Sequence, residues 1–413
     1  MTINLWPNIF NHETIVNMNN NWVNPKIIIG STATGDYYFQ RPQIEANIWE
    51  ETQKGNHVLL AAPRRVGKSS VMQAMLQNCP KNTRCVFKNI ESVKSEAEFY
   101  QTFFEILVRC LDKYGKGMSW LNGFFKGLHI EEITLEGVRF GEKKDLNYAE
   151  EIDSLLSKIA DQKLNLVILL DELPEVLNGL HKNKRSNEAS AILSRLRQWR
   201  QNPEIRQHFS LVLAGSVGLH HIVKSIEGRT AVINDFSIVP FEALTRSEAA
   251  DYITWATRDA TVQYAETLIN HLLSKINYFI PYFLSLMLDE INKAARKANA
   301  PNVDKQAIDT AFDTIVKNND HFKDWKSRLT DYFSTDDAGF MNETLIYIAH
   351  RDRINLRQLY EIALQHSKKD TYMELLRGLE HDGYITEVNS EFVFVSPFLQ
   401  AFWKADNPIY QHA

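Results

Sequence analysis

The sequence predicts an α/β protein built on a parallel sheet, followed by a helical region and a tail of helices and a hairpin. Three observations predict this. Between Val58 and Pro240, short apolar runs alternate with amphipathic helical stretches, as in βαβ units. One of these apolar runs leads into the loop A-P-R-R-V-G-K-S at Ala62–Ser69, and another ends in Asp171 and Glu172. Polar residues at the carboxyl ends of parallel strands mark a binding edge.

Five apolar runs are candidate strands of this sheet. Ala97–Tyr114 carries apolar residues at helical spacing and predicts a crossover helix, and Ile130–Phe140 predicts a hairpin. The candidate strands are Val58–Ala61, Cys85–Ile90, Leu166–Leu170, Leu211–Ala214 and Ser237–Val239.

The loop after the first strand fits the phosphate-binding pattern G-x-x-x-x-G-K-[ST] at every position except the first. Gly67 permits close backbone approach, Lys68 reaches the outer phosphates, and the Ser69 hydroxyl can ligate Mg²⁺. Ala62 replaces the first glycine and is tolerated if its φ stays negative. The strand before the loop and the helix-like V-M-Q-A-M-L after it argue against a chance match. The predicted nucleotide-binding residues here are Pro63, Arg64, Arg65, Val66, Gly67, Lys68, Ser69 and Ser70.

The strand Leu166–Leu170 delivers two carboxylates at its C-terminal end. Asp171 is expected to hold Mg²⁺ together with the loop serine, directly or through water. Glu172 is expected to polarise the water that attacks the γ-phosphate. The alternative is that both acids only stabilise the N-terminus of the following helix.

The strand Leu211–Ala214 ends in Gly215 and Ser216. In a sheet of this kind Ser216 is expected near the γ-phosphate and the attacking water. A glycine and a serine after a strand are also common in turns and helix caps. The proposed role of Ser216 near the γ-phosphate therefore depends on the position of this strand in the chain.

The chain changes character after Pro240, where helical signals replace strands. The predicted domains are an irregular lead-in at 1–30, an α/β core at 31–243, a helical lid at 244–325 and a winged helix-turn-helix at 326–413. The helices predicted in the lid are Ser247–Arg258, Tyr264–Lys275, Pro281–Lys297 and Asp304–Val316. The tail is predicted as helices Thr344–Ala349, Leu356–Leu364 and Tyr372–Asp382, with strands Gly383–Glu387 and Glu391–Val395.

Composition is that of an ordinary folded protein: 44% of the 413 residues are hydrophobic, 23% are charged, and the net charge is −5. No apolar run approaches the ~20 residues of a membrane helix. The N-terminus lacks signal-peptide order. We therefore expect a cytoplasmic protein without membrane contact.

Cys79, Cys85 and Cys110 show neither metal-ligand spacing nor a disulfide framework.

The motifs in chain order resemble those of the archaeal-type ATPases, within the STAND and origin-recognition-like AAA+ group of P-loop NTPases. The resemblance runs from about Gly35 to Trp403. It is carried by Tyr38–Ile44, Ala61–Ser69, Asp171–Pro174 and Gly215–Leu219.

The resemblance implies a nucleotide-binding domain, a helical lid and a winged-helix tail, with ATP and Mg²⁺ as cofactors. It implies that Gly35–Ile44 lines the adenine pocket, which makes Phe39 and Arg41 binding candidates. It also implies that Ser216 is the first sensor of the γ-phosphate. With Lys68, Asp171 and Glu172, this residue completes the predicted catalytic set.

The arginines leave two interpretations open. A predicted helix before the sensor strand carries Arg195, Arg197 and Arg200. These side chains either form a solvated basic face, or Arg197 or Arg200 acts as an arginine finger. Related lids often open with an arginine that reaches the phosphates, but this chain has Y-F-I-P-Y-F at Tyr278–Phe283. Slow hydrolysis, suited to a switch, is therefore expected.

The predicted winged helix is acidic. Thirteen acidic and seven basic residues from Thr330 to Ala413 leave a formal charge of −6, which disfavours phosphate contacts. Packing against the ATPase core, self-association or a protein partner is expected in preference to DNA.

Three functions remain open at this stage. The first is a Mg²⁺- and ATP-dependent molecular switch with ATPase activity. The second is an ATP-dependent DNA-binding protein, either an origin-recognition-like loader or a mobile-element helper. The third is a defence or stress-response regulator that recruits an effector protein.

Overall fold

A computed structural model describes residues 22–114, 119–128, 130–133, 138–140, 146–215, 218–318 and 320–410 of the chain. The described chain starts with a segment that runs past a short 3-10 turn at Gly35–Tyr37. The elements up to residue 140 are α1 (Pro42–Gln53), β1 (Val58–Ala61), α2 (Lys68–Gln77), β2 (Thr83–Asn89), α3 (Glu96–Tyr114), α4 (Ser119–Gly127), β3 (Ile130–Ile133) and β4 (Val138–Phe140).

The second half of the α/β core repeats the alternation of strand and helix. It ends with a 3-10 turn at Ala231–Ile233 and a short edge strand. The elements from residue 148 to 238 are α5 (Tyr148–Asp161), β5 (Asn165–Asp171), α6 (Leu173–Lys182), α7 (Ser186–Gln201), α8 (Pro203–Arg206), β6 (Phe209–Gly215), α9 (Leu219–Glu227) and β7 (Ser237–Ile238).

Five parallel strands form the central sheet in the order β2–β5–β6–β1–β7. All five predicted strands are confirmed, with bounds that shift by two residues or fewer. Strand β6 lies between β1 and β5, so Ala61 pairs with Gly215 and Ala214 pairs with Asp171. The ends of three strands therefore meet at one edge, which positions the site.

The predicted crossover helix is α3, whose buried face includes Phe99, Phe103 and Leu107. Phe103 packs on Trp199 of α7, with ring centroids 4.8 Å apart. The hairpin predicted at 130–140 is also present, as β3 paired antiparallel with β4.

Four helices follow the sheet between residues 246 and 317, as the sequence predicts. Helix α10 starts with a capping box in which Thr245 and Glu248 bond each other's backbone N–H. Pro281 occupies the first turn of α12, where its missing N–H costs nothing. The four helices are α10 (Arg246–Thr257), α11 (Glu266–Ile276), α12 (Pro281–Ala298) and α13 (Lys305–Lys317).

The tail contains the expected three helices and hairpin, together with elements that the sequence analysis did not identify. Helix α14 runs unbroken through the predicted domain boundary between residues 325 and 326. The tail comprises α14 (Asp320–Tyr332), α15 (Thr335–Arg351), β8 (Ile354–Asn355), α16 (Leu356–Gln365), α17 (Tyr372–His381), β9 (Ile385–Val388), β10 (Glu391–Phe394) and α18 (Pro397–Asp406).

Helices α15, α16 and α17 with the antiparallel sheet β8–β10–β9 give the element order of a winged helix. Helix α18 then returns to the lid, where Phe398 stacks on Phe312 of α13 at 4.5 Å between centroids. Lid and tail therefore share apolar packing. None of the described helices has the length and apolar character needed to span a bilayer.

Candidate nucleotide-binding site

The loop between β1 and α2 is shaped by two residues in the left-handed region. Gly67 has a φ of 105° and caps the N-terminus of α2, which only glycine does without strain. Arg65 has a φ of 66°, an uncommon conformation for a residue with a side chain. Ala62 has no positive φ and is buried. The alanine at the first loop position therefore fits the local backbone.

Lys68 begins α2 and folds back over its own loop. Its Nζ donates to the carbonyl oxygens of Ala62 at 2.7 Å and of Pro63 at 2.8 Å. Burial lowers the pKa of Lys68 to about 8, against the opposing effect of the nearby Glu172 and Asp171 carboxylates. The ammonium group is thus held at the inner end of the loop, where a phosphate can replace the two carbonyls.

Ser69 and Asp171 meet across the sheet edge. The Ser69 Oγ donates to Asp171 Oδ2 at 2.5 Å, although 102 positions separate the two residues in the chain. Asp171 is almost fully buried, and this burial raises its pKa. Adjacent oxygen ligands of an octahedral Mg²⁺ ion lie about 2.9 Å apart, so a small separation of these two oxygens fits the ion. A hydroxyl and a carboxylate oxygen are also the hard donors that Mg²⁺ prefers.

Glu172 follows Asp171 in a left-handed conformation, with a φ of 63°. Its N–H donates to Asp171 Oδ1 and to the Ala214 carbonyl, both at 3.1 Å, which fixes this backbone. Its Oε2 is buried and has no hydrogen-bond partner among the described residues, and Glu172 lines the cavity beside the loop. Burial, followed by the neighbouring Asp171, raises the pKa of Glu172. A strained, unsatisfied carboxylate with a raised pKa suits a proton-accepting role.

A cavity of about 400 Å³ opens beside the loop. Its lining combines the loop with aromatic residues from the segment before α1 and from the lid, including Phe39, Tyr252 and Tyr282. Phe39 packs edge-on against Tyr252 at 5.3 Å, and Arg41 donates to the Glu242 carbonyl at 3.0 Å. The volume and the combination of polar and aromatic lining residues suit a nucleotide. The predicted binding residues that line it are Phe39, Arg41, Arg64, Arg65, Val66, Gly67, Lys68, Ser69 and Ser70.

Solved structures that resemble most of the chain include the following two. A Walker-type ATPase of Pyrococcus abyssi is 15% identical, with a TM-score of 0.61, and the match covers 92% of this chain and 99% of that one. The ORC2 protein of Aeropyrum pernix, solved in ADPNP and ADP complexes, is 11% identical, with a TM-score of 0.51 and coverage of 94% and 96%. The chain has the fold of these P-loop ATPases. No protein-family model and no curated protein matches the sequence.

Within this ATPase fold, the two loop arginines are tied to acidic side chains. Arg64 donates to Glu175 Oε1 of α6 at 2.8 Å. Arg65 donates to Asp324 Oδ2 of α14 at 2.8 Å, and its guanidinium lies 3.9 Å from the centre of the Tyr282 ring. Both guanidinium groups therefore have protein partners that phosphate oxygens can replace.

The predicted sensor Ser216 lies outside the described residues. The strand that leads to it ends at Gly215, beside Ala61 of β1. A Cβ at Gly215 would lie 2.3 Å from Pro174 Cγ at the start of α6. The close approach of α6 therefore requires glycine here, and the sensor role stays a prediction.

The candidate arginine fingers separate into two cases. Arg200 is buried and donates to both carboxylate oxygens of Asp235 at 2.9 Å. Its carbonyl contacts His57, just before β1, at the opposite end of that strand from the loop. We therefore correct the interpretation of Arg200, because its guanidinium is enclosed within its own chain. Arg197 lines a small surface cavity, and its finger role stays a prediction.

Sequence reasoning missed the part of the tail that touches the site. Tyr332 at the end of α14 donates its hydroxyl to Glu175, the partner of Arg64. The turn at Gly383 lies so close to the loop that a Cβ there would be 2.6 Å from Pro63 Cγ. These contacts join residues far apart in the chain, and no local pattern indicates them.

Proposed function

We propose that the protein is a Mg²⁺-dependent ATPase that acts as a nucleotide-controlled switch. The observation that carries this proposal is the meeting of Ser69 and Asp171 at 2.5 Å, at the inner end of a cavity that Lys68 and Glu172 line. These four groups are the donors and acceptors that phosphate binding and hydrolysis need.

Each side chain has a defined part in the proposed chemistry. Lys68 binds the β- and γ-phosphate oxygens after leaving the Ala62 and Pro63 carbonyls. Ser69 and Asp171 hold Mg²⁺, which when bound neutralises developing charge on the phosphates. Glu172 accepts a proton from the attacking water through its unpartnered Oε2.

The switch part of the proposal is supported by contacts between the tail and the site. Asp324 binds the loop residue Arg65, and Gly383 lies against Pro63. A ligand shifts a conformational equilibrium by its different affinity for the two states. Because ATP and ADP differ only at the γ-phosphate, groups at the loop are well placed to report that difference to the tail.

A switch is favoured over a DNA clamp by the placement of α17. Its residue Glu374 binds Lys224 of α9 at 2.6 Å, so part of this acidic helix faces the ATPase core. DNA binding would require that surface to leave the core and then to approach phosphates. Recruitment of a protein partner is compatible with the same release.

The test compares binding with turnover. Lys68→Ala is expected to abolish ATP binding, and Glu172→Gln to keep binding but lose hydrolysis. Lys293→Ala is the control for the lysine substitution, because in the described part of the chain the ion pair of this exposed side chain is with Asp289 on its own helix. Calorimetry and phosphate release measure both quantities. Tight ATP binding by Lys68→Ala protein would contradict the proposal.

The switch is tested by hydrogen exchange and sizing. The amides of α14 and of the turn at Gly383 are expected to exchange at different rates in ADP and in a non-hydrolysable ATP analogue. Sizing with and without ATP, Mg²⁺ and DNA separates a switch from a clamp. Identical exchange in both nucleotides, with salt-sensitive, ATP-dependent DNA binding, would favour the clamp.

A further inference from the structure

Helix α14 presents one row of side chains to the phosphate loop and its surroundings. Asp324, Arg328 and Tyr332 are spaced four residues apart and therefore share a face. Asp324 contacts Arg65, and Tyr332 contacts Glu175, which in turn holds Arg64. Arg328 lies between these two contacts, so it faces the same part of the site.

Arg328 is buried but poorly satisfied. The residue is only 5% exposed, and within the described part of the chain its Nε and Nη2 atoms have no hydrogen-bond partner. Its guanidinium carbon lies 5.2 Å from the centre of the Tyr332 ring, which offers a cation–π contact but no acceptor. A buried guanidinium with free N–H groups is costly in a folded protein. An anionic ligand that accepts hydrogen bonds from those N–H groups would offset this cost.

The turn after α17 gives Arg328 an acidic neighbour close to the phosphate loop. Burial raises the pKa of Asp382 to about 6, and the positive charge of Arg328 opposes this rise. Asp382 precedes Gly383, the residue that approaches Pro63 of the loop. Arg328 is thus within electrostatic reach of a carboxylate that adjoins the loop.

We propose that Arg328 binds the terminal phosphate of the nucleotide, as a positively charged group that the linker helix α14 supplies to the site. This inference rests on the proposed function, since it requires a nucleoside triphosphate at Lys68. The planar guanidinium can donate two parallel hydrogen bonds to phosphate oxygens. In the absence of nucleotide, Asp382 is the nearby group that offsets its charge.

The experiment compares the affinities for ATP and ADP by calorimetry on the full chain. Arg328→Met is expected to weaken ATP binding about 10- to 100-fold, as for the loss of charge-assisted hydrogen bonds, and to change ADP binding less than threefold. Arg328→Lys keeps the charge but not the paired donors, so an intermediate loss for ATP is expected. Arg357→Met is the control, because that side chain is 90% exposed on α16.

Asp382→Asn is expected to change ATP affinity in the opposite direction to Arg328→Met. A folding defect would not produce this increase in affinity. Removal of the negative charge that competes with the phosphate is expected to strengthen ATP binding several-fold. Equal losses for ATP and ADP in Arg328→Met, or no loss for either, overturn the proposal. Weaker ATP binding by Asp382→Asn also overturns it. If Arg328→Met does not fold, Arg328→Lys and Asp382→Asn decide the question.

The result is separable from failure of the proposed function. If the wild-type protein binds neither nucleotide, the proposed function fails. If the wild-type protein binds ATP, Lys68→Ala does not, and Arg328→Met behaves as the wild type, only this inference fails.

Discussion

Gly383→Ala is expected to destabilise the contact between the tail and the phosphate loop. Gly383 has a φ of 73°, and an added Cβ would lie 2.6 Å from Pro63 Cγ and 2.9 Å from Pro63 Cβ. Two carbon atoms pack best at about 3.5 to 4.0 Å. The alanine variant must therefore relieve both a backbone strain and a steric overlap with the loop.

The two costs can be worked out separately. A left-handed conformation costs an L-residue about 1 to 2 kcal/mol. Overpacking of a tight contact costs about 1 to 3 kcal/mol. The sum is about 2 to 5 kcal/mol, which corresponds to a fall of roughly 5 to 15 °C in the melting temperature of a unit the size of the lid and tail.

Three other glycines separate these costs in the same assay. Gly30→Ala introduces only the backbone strain, because its φ is 85° and no atom of the described residues lies within 4 Å of the added Cβ. Gly215→Ala carries only the overlap, with Pro174 Cγ at 2.3 Å and no positive φ. Gly179→Ala introduces neither the backbone strain nor the overlap. It replaces a glycine inside α6, so the alanine is expected to stabilise the protein by up to about 1 kcal/mol.

The assay is thermal and chemical unfolding of the four variants beside the wild type. Gly383→Ala is expected to lose more stability than Gly30→Ala. If Gly383→Ala loses no more than Gly30→Ala, the turn does not press on the loop in solution, and the contact on which the reasoning depends is absent.

Four further predictions concern the nucleotide, the metal ion and the arginines. Burial lowers the pKa of Lys68 to about 8, and Lys68 is proposed to bind phosphate as an ammonium group. ATP affinity is therefore expected to fall as the pH rises above 8, and ATP binding is expected to take up a proton. An ATP affinity that stays constant from pH 7 to 10 would oppose this. Asp171→Asn is expected to remove the Mg²⁺-dependent part of ATP affinity measured by titration with and without EDTA, and an unchanged Mg²⁺ effect would show that the carboxylate does not hold the ion. Arg200→Met leaves Asp235 without its buried partner, so unfolding should show a loss of about 3 kcal/mol while hydrolysis persists. Arg197→Ala should slow hydrolysis only if this arginine reaches a second copy of the chain, which turnover at several protein concentrations would reveal.

Local patterns in the sequence were sufficient for the sheet and for the inner part of the site. The strands are short apolar runs. The predicted site residues follow two of these runs: Lys68 and Ser69 come at the end of the loop after the first strand, and Asp171 and Glu172 come directly after another. Strand order then brings Ser69 and Asp171 together, because parallel strands end at a common edge.

The contribution of α14 could not be predicted in the same way. The helix itself has a signal, since Phe322, Trp325, Leu329 and Tyr332 are buried and spaced three or four residues apart. The approach of α14 to the phosphate loop has no such signal, because it depends on how the tail folds back onto a loop some 260 residues earlier in the chain. The buried state of Arg200 likewise depends on Asp235, which no periodicity connects to it.

The energies of the contacts favour a site that can release the tail. Asp324 is 59% exposed, so its pair with Arg65 belongs to the class of surface ion pairs worth about 0 to 1 kcal/mol. Micromolar nucleotide binding supplies about 8 kcal/mol. Exchange of the Arg65 and Arg64 carboxylate partners for phosphate oxygens is therefore inexpensive relative to binding. The larger barrier to release is the apolar packing of the tail, since Phe398 is buried against the lid. Lid and tail should accordingly move as one body when the nucleotide changes, with the weak pair between Arg65 and Asp324, rather than every contact of α14, as the part that breaks.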